Sequence, residues 1–167
     1  MARPGQPKHD LGMAAEQIYA AALVYLGRRE YCAAELRQKL LGKGADPQST
    51  EAILTRLKEQ GDLDDARFAG AFIRDRREFR PCGAVLMRAQ LRARGIDPAI
   101  IEAVLTEEYD GEREKEVLRR LIEKAAEQAP EAADTAGRKR YREKIVRRLL
   151  SKGFSLPAIL RQMDDWA

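Results

Sequence analysis

The residues that could do acid–base, nucleophilic or metal chemistry are few in this chain, and their spacing does not suit that chemistry. The only histidine among the 167 residues is His9. A Ser-His-Asp triad needs a histidine beside its nucleophile, and a zinc site needs several His or Cys ligands, so the sequence can assemble neither. Cys32 and Cys82 lie far apart without a Cys-x-x-Cys motif, which indicates a reducing compartment rather than a disulfide framework. The sequence therefore predicts no catalytic residue and no metal site.

Paired acids are the other group that could bind a metal. Asp64 and Asp65 follow Gly61 and precede a helical apolar pattern. Acids in a first turn stabilise the positive end of the helix dipole, so we interpret this pair as a helix cap rather than as metal ligands. The chain also lacks a Gly-rich phosphate loop. No cofactor is predicted, and we expect a protein that is not an enzyme and works by binding.

Anion binding is the chemistry that the charged residues can do. The formal net charge is +4 and the isoelectric point is near 9.2. Arginines cluster between Arg74 and Arg94, and basic residues again between Arg138 and Lys152, while the stretch Glu102–Glu116 is mostly acidic. Such separated blocks predict a surface that meets a polyanion, or a protein that carries one. Solvated helix faces explain the same pattern, and this alternative stays open.

Helices must position these charges. Ala, Leu, Arg and Glu dominate the composition, and they favour helices, whereas the strict alternation typical of strands is absent. Three segments, 36–47, 87–98 and 145–156, align on a glycine, and each has the pattern of one helix ending and the next beginning. The sequence therefore predicts an all-α fold built from an internal repeat.

The three junctions share their local chemistry. A glycine supplies the left-handed residue that ends a helix at the least steric cost, and these glycines are Gly44, Gly95 and Gly153. A polar side chain then caps the following helix, and these caps are Asp46, Asp97 and Ser155. Apolar residues four apart precede each glycine and predict the buried face: Leu36/Leu40, Met87/Leu91 and Ile145/Leu149.

A third helix completes each unit from its N-terminal side. The predicted apolar stripe of the first such helix consists of Tyr19, Leu23 and Leu26, and that of the second of Phe68 and Phe72. We predict a disordered tail over residues 1–13, followed by three-helix repeats at 14–61, 62–110 and 111–167. The segment 129–137, with Pro130, is predicted to be a loop before the middle helix of the third repeat.

The repeats also predict the shape and the location of the protein. A unit of about fifty residues buries too little surface to be robust alone, so we expect the three units to stack into an elongated, curved molecule. No apolar run approaches transmembrane length, and no signal peptide opens the chain. We expect a cytoplasmic monomer without a membrane partner.

One stretch of the sequence resembles the signature of the RecX family. Residues 61–69 read Gly-Asp-Leu-Asp-Asp-Ala-Arg-Phe-Ala, and the pattern continues to Phe72 and Arg76. Residues 28–40 are similar to the first repeat of that family, residues 91–96 to its second, and the Lys-Gly-Phe at 152–154 to its third. The resemblance covers nearly the whole chain outside the tail.

The chain departs from the family pattern in three places. Cys82-Gly83-Ala84 stands where the family often has Tyr-Gly-Pro, Leu86 replaces a polar or basic residue, and Gln90 replaces a glutamate. A contact that the family makes through that tyrosine, or through a basic residue at 86, has no equivalent side chain in this chain.

The resemblance implies a regulator of the RecA recombinase that acts in DNA repair, recombination and the SOS response. It implies binding to RecA and to RecA filaments on single-stranded DNA, with inhibition of the RecA ATPase, strand-exchange and co-protease activities, and no cofactor. Such a filament presents protein and phosphate in a groove, which would attract basic faces. The residues expected to face it are Arg76, Arg77, Arg80, Arg88, Arg92, Arg138, Lys139, Arg140, Arg142, Arg147 and Arg148.

Two other interpretations stay open. Helix-turn-helix units with basic helices occur in DNA-binding proteins, which predicts a protein that binds DNA without RecA. Weak non-specific DNA binding is compatible with this interpretation and with the RecX resemblance. Alternatively, the repeats form an inert scaffold whose concave face binds an unrelated peptide.

Overall fold

The computed structural model of the protein describes residues 14–129 and 134–164, and these residues are helical without a strand. The helices are α1 (Ala15–Leu26), α2 (Ala33–Leu41), α3 (Pro47–Glu59), α4 (Asp65–Phe79), α5 (Ala84–Arg92), α6 (Pro98–Glu108), α7 (Gly111–Glu127), α8 (Thr135–Ser151) and α9 (Leu156–Met163). The predicted all-α fold is confirmed. None of the described helices is long and apolar enough to cross a membrane. The predicted tail over 1–13 lies outside the described residues.

The helix ends confirm the predicted role of the glycines. Gly44, Gly95 and Gly153 have φ of 88°, 78° and 84°, in the left-handed region. At the first junction the amide of Gly44 donates to the carbonyl of Leu41 at 2.9 Å, and that of Ala45 to the carbonyl of Leu40 at 3.2 Å. This is the Schellman pattern, which satisfies the last carbonyls of a helix. The same pair of bonds recurs at the other two junctions.

The predicted N-caps are confirmed as well. Asp46 accepts from the amide of Ser49 at 2.9 Å, Asp97 from Ala99 at 2.8 Å, and the Ser155 hydroxyl from Ala158 at 3.3 Å. Each bond satisfies one of the amides that the first turn leaves without a helical partner. The three turns therefore begin and end their helices in the same way.

The described residues divide into two compact units between Asp65 and Ala66. In the first unit α1, α2 and α3 enclose an apolar core that includes the fully buried Ile18, Leu36 and Leu57. Leu23 of the predicted α1 stripe was wrong, because it is 41% exposed, and the fully buried residues of α1 are Ile18 and Ala22. Tyr19 and Leu26 pack at the edge of this core.

In the second unit the core is built by the apolar faces of α4 to α9. Its buried side chains include Phe68, Ile73, Met87, Leu91, Ile101, Leu118, Ile145, Leu149, Ile159 and Met163. Phe72 is only half-buried, and the guanidinium groups of Arg76 and Arg94 lie 4.7 Å and 4.9 Å from its ring centre. Of the loop predicted at 129–137, residues 130–133 lie outside the described residues, and the C-terminal end was wrong because α8 begins at Thr135 after Asp134 caps it.

Helices α2 and α5 are each capped by an acid from a later helix rather than by their own N-cap residue. In the first unit the Asp65 carboxylate accepts from the amide of Ala33, the first residue of α2, at 2.8 Å. In the second unit the Glu114 carboxylate accepts from the amide of Ala84, the first residue of α5, at 2.8 Å. The sequence predicted a capping role for Asp65, but the helix that it caps is α2, because α2 begins after Cys32, which makes no side-chain cap.

Replacing Asp65 with alanine is expected to lower the free energy of unfolding by about 1–2 kcal/mol, the usual cost of losing a helix cap. The variant leaves the half-buried amide of Ala33 without its acceptor. Urea unfolding followed by circular dichroism measures the loss. Asp65→Asn keeps an acceptor oxygen and is the matched control, so equal losses in both variants would contradict the capping role.

Candidate partner-binding surface

Helix α8 carries the densest run of positive charge in the described chain. Its buried side consists of Ile145 and Leu149, with Tyr141 half-buried beside them. The Tyr141 hydroxyl donates to the carbonyl of Ala125 in α7 at 2.9 Å. These residues recur every four positions, so they form one stripe that fixes how α8 lies on the unit. The charged residues between them must therefore face outward.

The outward side of α8 is basic and exposed. We call the following six residues the α8 basic face: Arg138, Lys139, Arg140, Lys144, Arg147 and Arg148. Among the described residues none of these cations forms an ion pair, and the only acid between them is Glu143. Cations four apart on a helix repel each other, at a cost of about 0.2–0.5 kcal/mol per pair. A bound anion would relieve this repulsion.

Two predicted contact residues of α8 also touch backbone carbonyls. A terminal nitrogen of Arg142 donates to the carbonyl of Met163, the last residue of α9, at 3.3 Å. Arg147 donates from Nε to the carbonyl of Glu143 at 3.4 Å. Arg142 therefore helps to hold α9 against α8, although its side chain is still exposed.

The predicted arginines at the end of α4 are partly turned inward. The side chain of Arg76 is only 15% exposed, and its Nε donates to Gln90 at 3.0 Å. Arg77 donates to the carbonyl of Glu108 at 3.4 Å and pairs with Glu78. Arg80 is exposed and forms no ion pair with a described residue. Of these three, Arg80 is the most accessible to a partner.

The predicted arginines of α5 lie next to an acid of α6. Arg88 forms a bidentate pair with Glu102, with nitrogen–oxygen distances of 2.6 Å and 2.8 Å. This bond raises the pKa of the Arg88 guanidinium and lowers that of the Glu102 carboxyl. A terminal nitrogen of Arg92 lies 4.0 Å from the same carboxylate. The charge of Arg88 is therefore compensated within the unit, and Arg92 has only a distant contact with the same carboxylate.

The first unit contains the same bidentate pair. Arg37 of α2 donates from Nε and from a terminal nitrogen to the two carboxylate oxygens of Glu51 in α3, the latter at 2.8 Å. Neither pair was predicted. The signal that could have found these pairs is their identical spacing. Each arginine precedes its glutamate by 14 residues, and the two lie on consecutive helices joined by a tight turn.

Both cysteines are buried just before a helix, Cys32 as the N-cap residue of α2 and Cys82 one residue before Gly83, the N-cap residue of α5. Burial raises the pKa of the Cys32 and Cys82 thiols, which keeps them protonated at neutral pH. The Tyr109 hydroxyl donates to the carbonyl of Cys82 at 3.0 Å, and burial raises its pKa too. These groups serve packing in the described structure.

Comparison with known proteins identifies the family. A model of the RecX first three-helix domain matches residues 19–57, and one of the second three-helix domain matches residues 64–105. A regulatory protein RecX from Prosthecochloris aestuarii is 31% identical over 144 residues, which cover 86% of this chain and 89% of that protein. The chain belongs to the RecX family.

Two further RecX proteins extend the comparison. A regulatory protein RecX from Halorhodospira halophila is 43% identical over 96 residues. This match covers 58% of this chain and 59% of that relative, so it spans little more than half of either protein. The crystal structure of RecX from Lactobacillus salivarius has the same fold, with a TM-score of 0.80 and 24% identity, over 90% of this chain and 95% of that one. The helical-repeat fold is therefore that of RecX proteins.

Within this RecX-family chain, Gly83 marks the place where Cys82-Gly83-Ala84 departs from the Tyr-Gly-Pro pattern. Its amide donates to the carbonyl of Lys152 at 2.8 Å, and the Lys152 side chain donates to the carbonyl of Pro81 at 3.0 Å. A Cβ at position 83 would lie 2.2 Å from the carbonyl oxygen of Gly153. The turn before α5 therefore lies directly against the turn after α8, and only glycine allows that approach.

Proposed function

We propose that this protein binds RecA and RecA–single-stranded-DNA filaments and inhibits the ATPase, strand-exchange and co-protease activities of RecA. We propose further that it does so as a cytoplasmic monomer, in DNA repair, recombination and the SOS response. Membership of the RecX family supports the choice of partner. The observation that carries the mechanism is the α8 basic face, whose exposed cations have no ion-pair partner among the described residues.

The basic face explains how such a protein would approach a nucleoprotein filament. Cations that are not neutralised within the unit attract an anionic surface at long range and raise the association rate. Arg76 and Arg88 are engaged in contacts inside the unit. We therefore assign the electrostatic attraction to α8 and Arg80, and a supporting role to the arginines of α5.

The ATPase activity of RecA on single-stranded DNA tests this proposal. Purified protein, added at substoichiometric amounts, is expected to lower the rate of ATP hydrolysis, and the effect is expected to weaken as salt rises because screening shortens the reach of the charges. An unchanged rate across salt concentrations would refute the proposal. If inhibition is seen only when this protein is in large excess over DNA phosphate, the protein would instead be competing with RecA for DNA.

A DNA-binding protein that acts without RecA is the second candidate. It is favoured by one observation, the exposed basic helix α8, which a tight turn joins to α9, although in a helix-turn-helix unit the second helix of the pair contacts the bases. Fluorescence anisotropy with short duplexes separates the two functions. Sequence-specific binding of a duplex without RecA would support the second candidate, whereas weak binding that is equal for all sequences is compatible with the first.

A further inference from the structure

The turns that join α5 to α6 and α8 to α9 have the same hydrogen bonds. The residues of the second and third repeats can therefore be compared position by position. The amides of Gly95 and Gly153 donate to the carbonyl three residues earlier at 2.9 Å in both turns. The next amide donates five residues back, from Ile96 to Leu91 and from Phe154 to Leu149, at 3.3 Å in both turns. Residues at equal distance from the two glycines therefore occupy equivalent places on the two helix pairs.

Counted in this way, the third repeat lacks an ion pair that the first two repeats have. The arginine lies seven residues before the glycine and the glutamate seven residues after it, as Arg37 and Glu51 and as Arg88 and Glu102. In the third repeat these positions are Val146 and Leu160. The two positions that form an ion pair in the first and second repeats are therefore both apolar in α8 and α9.

The neighbouring positions extend this apolar pair. Arg92, three residues before its glycine, reaches to 4.0 Å from Glu102, and the equivalent residue of the third repeat is Leu150. Leu156 precedes Leu160 by one turn on the same side of α9. Leu150, Leu156 and Leu160 are 40%, 44% and 43% exposed, and Val146 is half-buried. We call these four residues the α8–α9 apolar patch.

Cations outnumber acids beside the patch. Lys139 and Arg142 precede Val146 by seven and four residues, so they continue its stripe along α8, and Arg147 and Arg161 follow Val146 and Leu160 directly. All four are exposed. The acids on the same helix sides are Glu143, three residues before Val146, and Asp164, four residues after Leu160, so the cations outnumber them. A partner that covers the leucines would therefore gain most if its own border were negative.

We propose that the α8–α9 apolar patch is a docking site for an amphipathic α-helix of a partner protein, with leucine-like residues on one side and acids along its flanks. The patch combines residues of two helices, and its side chains are partly buried between them. Such a surface suits a partner helix that lays its apolar side along it. A second copy of this chain would bring cations against cations. The inference goes beyond the proposed function, because it stands whether or not the partner is RecA.

A synthetic peptide and an ion-pair graft test the proposal on the full chain. The probe is a fluorescent helical peptide with leucines at i, i+3, i+4 and i+7 and glutamates on both flanks, followed by anisotropy. The variant combines Val146→Arg with Leu160→Glu, which installs the pair that the first two repeats carry. Peptide binding is expected to weaken at least about tenfold through lost apolar contact. The unfolding midpoint is expected to stay the same, which separates lost docking from misfolding.

The reciprocal graft is the matched control. Arg88→Val combined with Glu102→Leu creates a similar apolar pair in the second repeat, and we expect it to add a weaker second binding event. A peptide with lysines in place of the glutamates is expected to bind poorly. Unchanged binding in the Val146→Arg, Leu160→Glu variant would overturn the proposal.

Two further results would also overturn it in favour of another occupant. One is binding of the unmodified chain to phosphatidylserine vesicles but not to the peptide. The other is concentration-dependent dimerisation, seen by sedimentation, that this variant abolishes. Inhibition of the RecA ATPase by the same variant is measured separately, so a failed docking site and a failed RecA function give different results.

Discussion

Gly83→Ala is expected to lower the free energy of unfolding by about 3 kcal/mol, at the upper end of the usual cost of overpacking. The added methyl group would lie 2.2 Å from the carbonyl oxygen and 2.5 Å from the carbonyl carbon of Gly153. These are backbone atoms, which cannot rotate away as a flexible side chain can. Relief requires the two turns to separate, and separation breaks the bond from the Gly83 amide to the carbonyl of Lys152.

Thermal and urea unfolding by circular dichroism measure this effect, and Gly111→Ala is its control. Gly111 is the first residue of α7, and a Cβ placed there meets no atom within 4 Å in the described structure. Alanine at that site is expected to raise the free energy of unfolding by about 0.4–1 kcal/mol, because it restricts the unfolded chain. The two glycine variants should therefore shift the midpoint in opposite directions, and equal shifts would contradict the close approach at Gly83.

The features that sequence analysis predicted best are those decided by neighbours along the chain. The left-handed glycines and the caps at Asp46, Asp97 and Ser155 depend on bonds that span two to five residues. Local composition therefore suffices to place them. Their recurrence at three junctions also indicates the register of the repeat from local bonds alone.

The features that sequence analysis missed depend on contacts distant in the chain. Gly83 appeared only as part of a departure from the family pattern, because its neighbour Gly153 is far away in sequence. Leu23 was wrongly placed on the buried side of α1 because apolar residues occur all around this helix, so periodicity alone could not choose which side packs. Tertiary contacts chose the side of Ile18 and Ala22.

The candidate site was predicted in outline but not residue by residue. Counting cations locates both basic stretches, 74–94 and 138–152, yet Arg88 is neutralised by Glu102 and the α8 basic face has no ion pair among the described residues. An ion pair between two helices needs the geometry of the turn that joins them. Composition cannot supply that geometry, so the arginines of the two helices looked alike.

This difference between helices leads to the largest functional effect that we expect. Arg140→Glu combined with Lys144→Glu should raise the amount of protein needed for half-inhibition of the RecA ATPase about tenfold at low salt. Both residues are exposed and four apart on α8. Neither holds the fold through an ion pair with a described residue, and the new acids lie beside Arg147 and Arg148. The helix content and the unfolding midpoint are therefore expected to remain.

The salt dependence decides whether the effect is electrostatic. The Debye length falls from about 10 Å at 0.1 M salt to about 3 Å at 1 M, so the gap between the variant and the unmodified protein should close as salt rises. Arg28→Glu combined with Lys39→Glu makes the same change in net charge on exposed residues of the first unit. If this control weakens inhibition as much as the α8 variant does, net charge is responsible. The α8 basic face would then not be the surface that meets the filament.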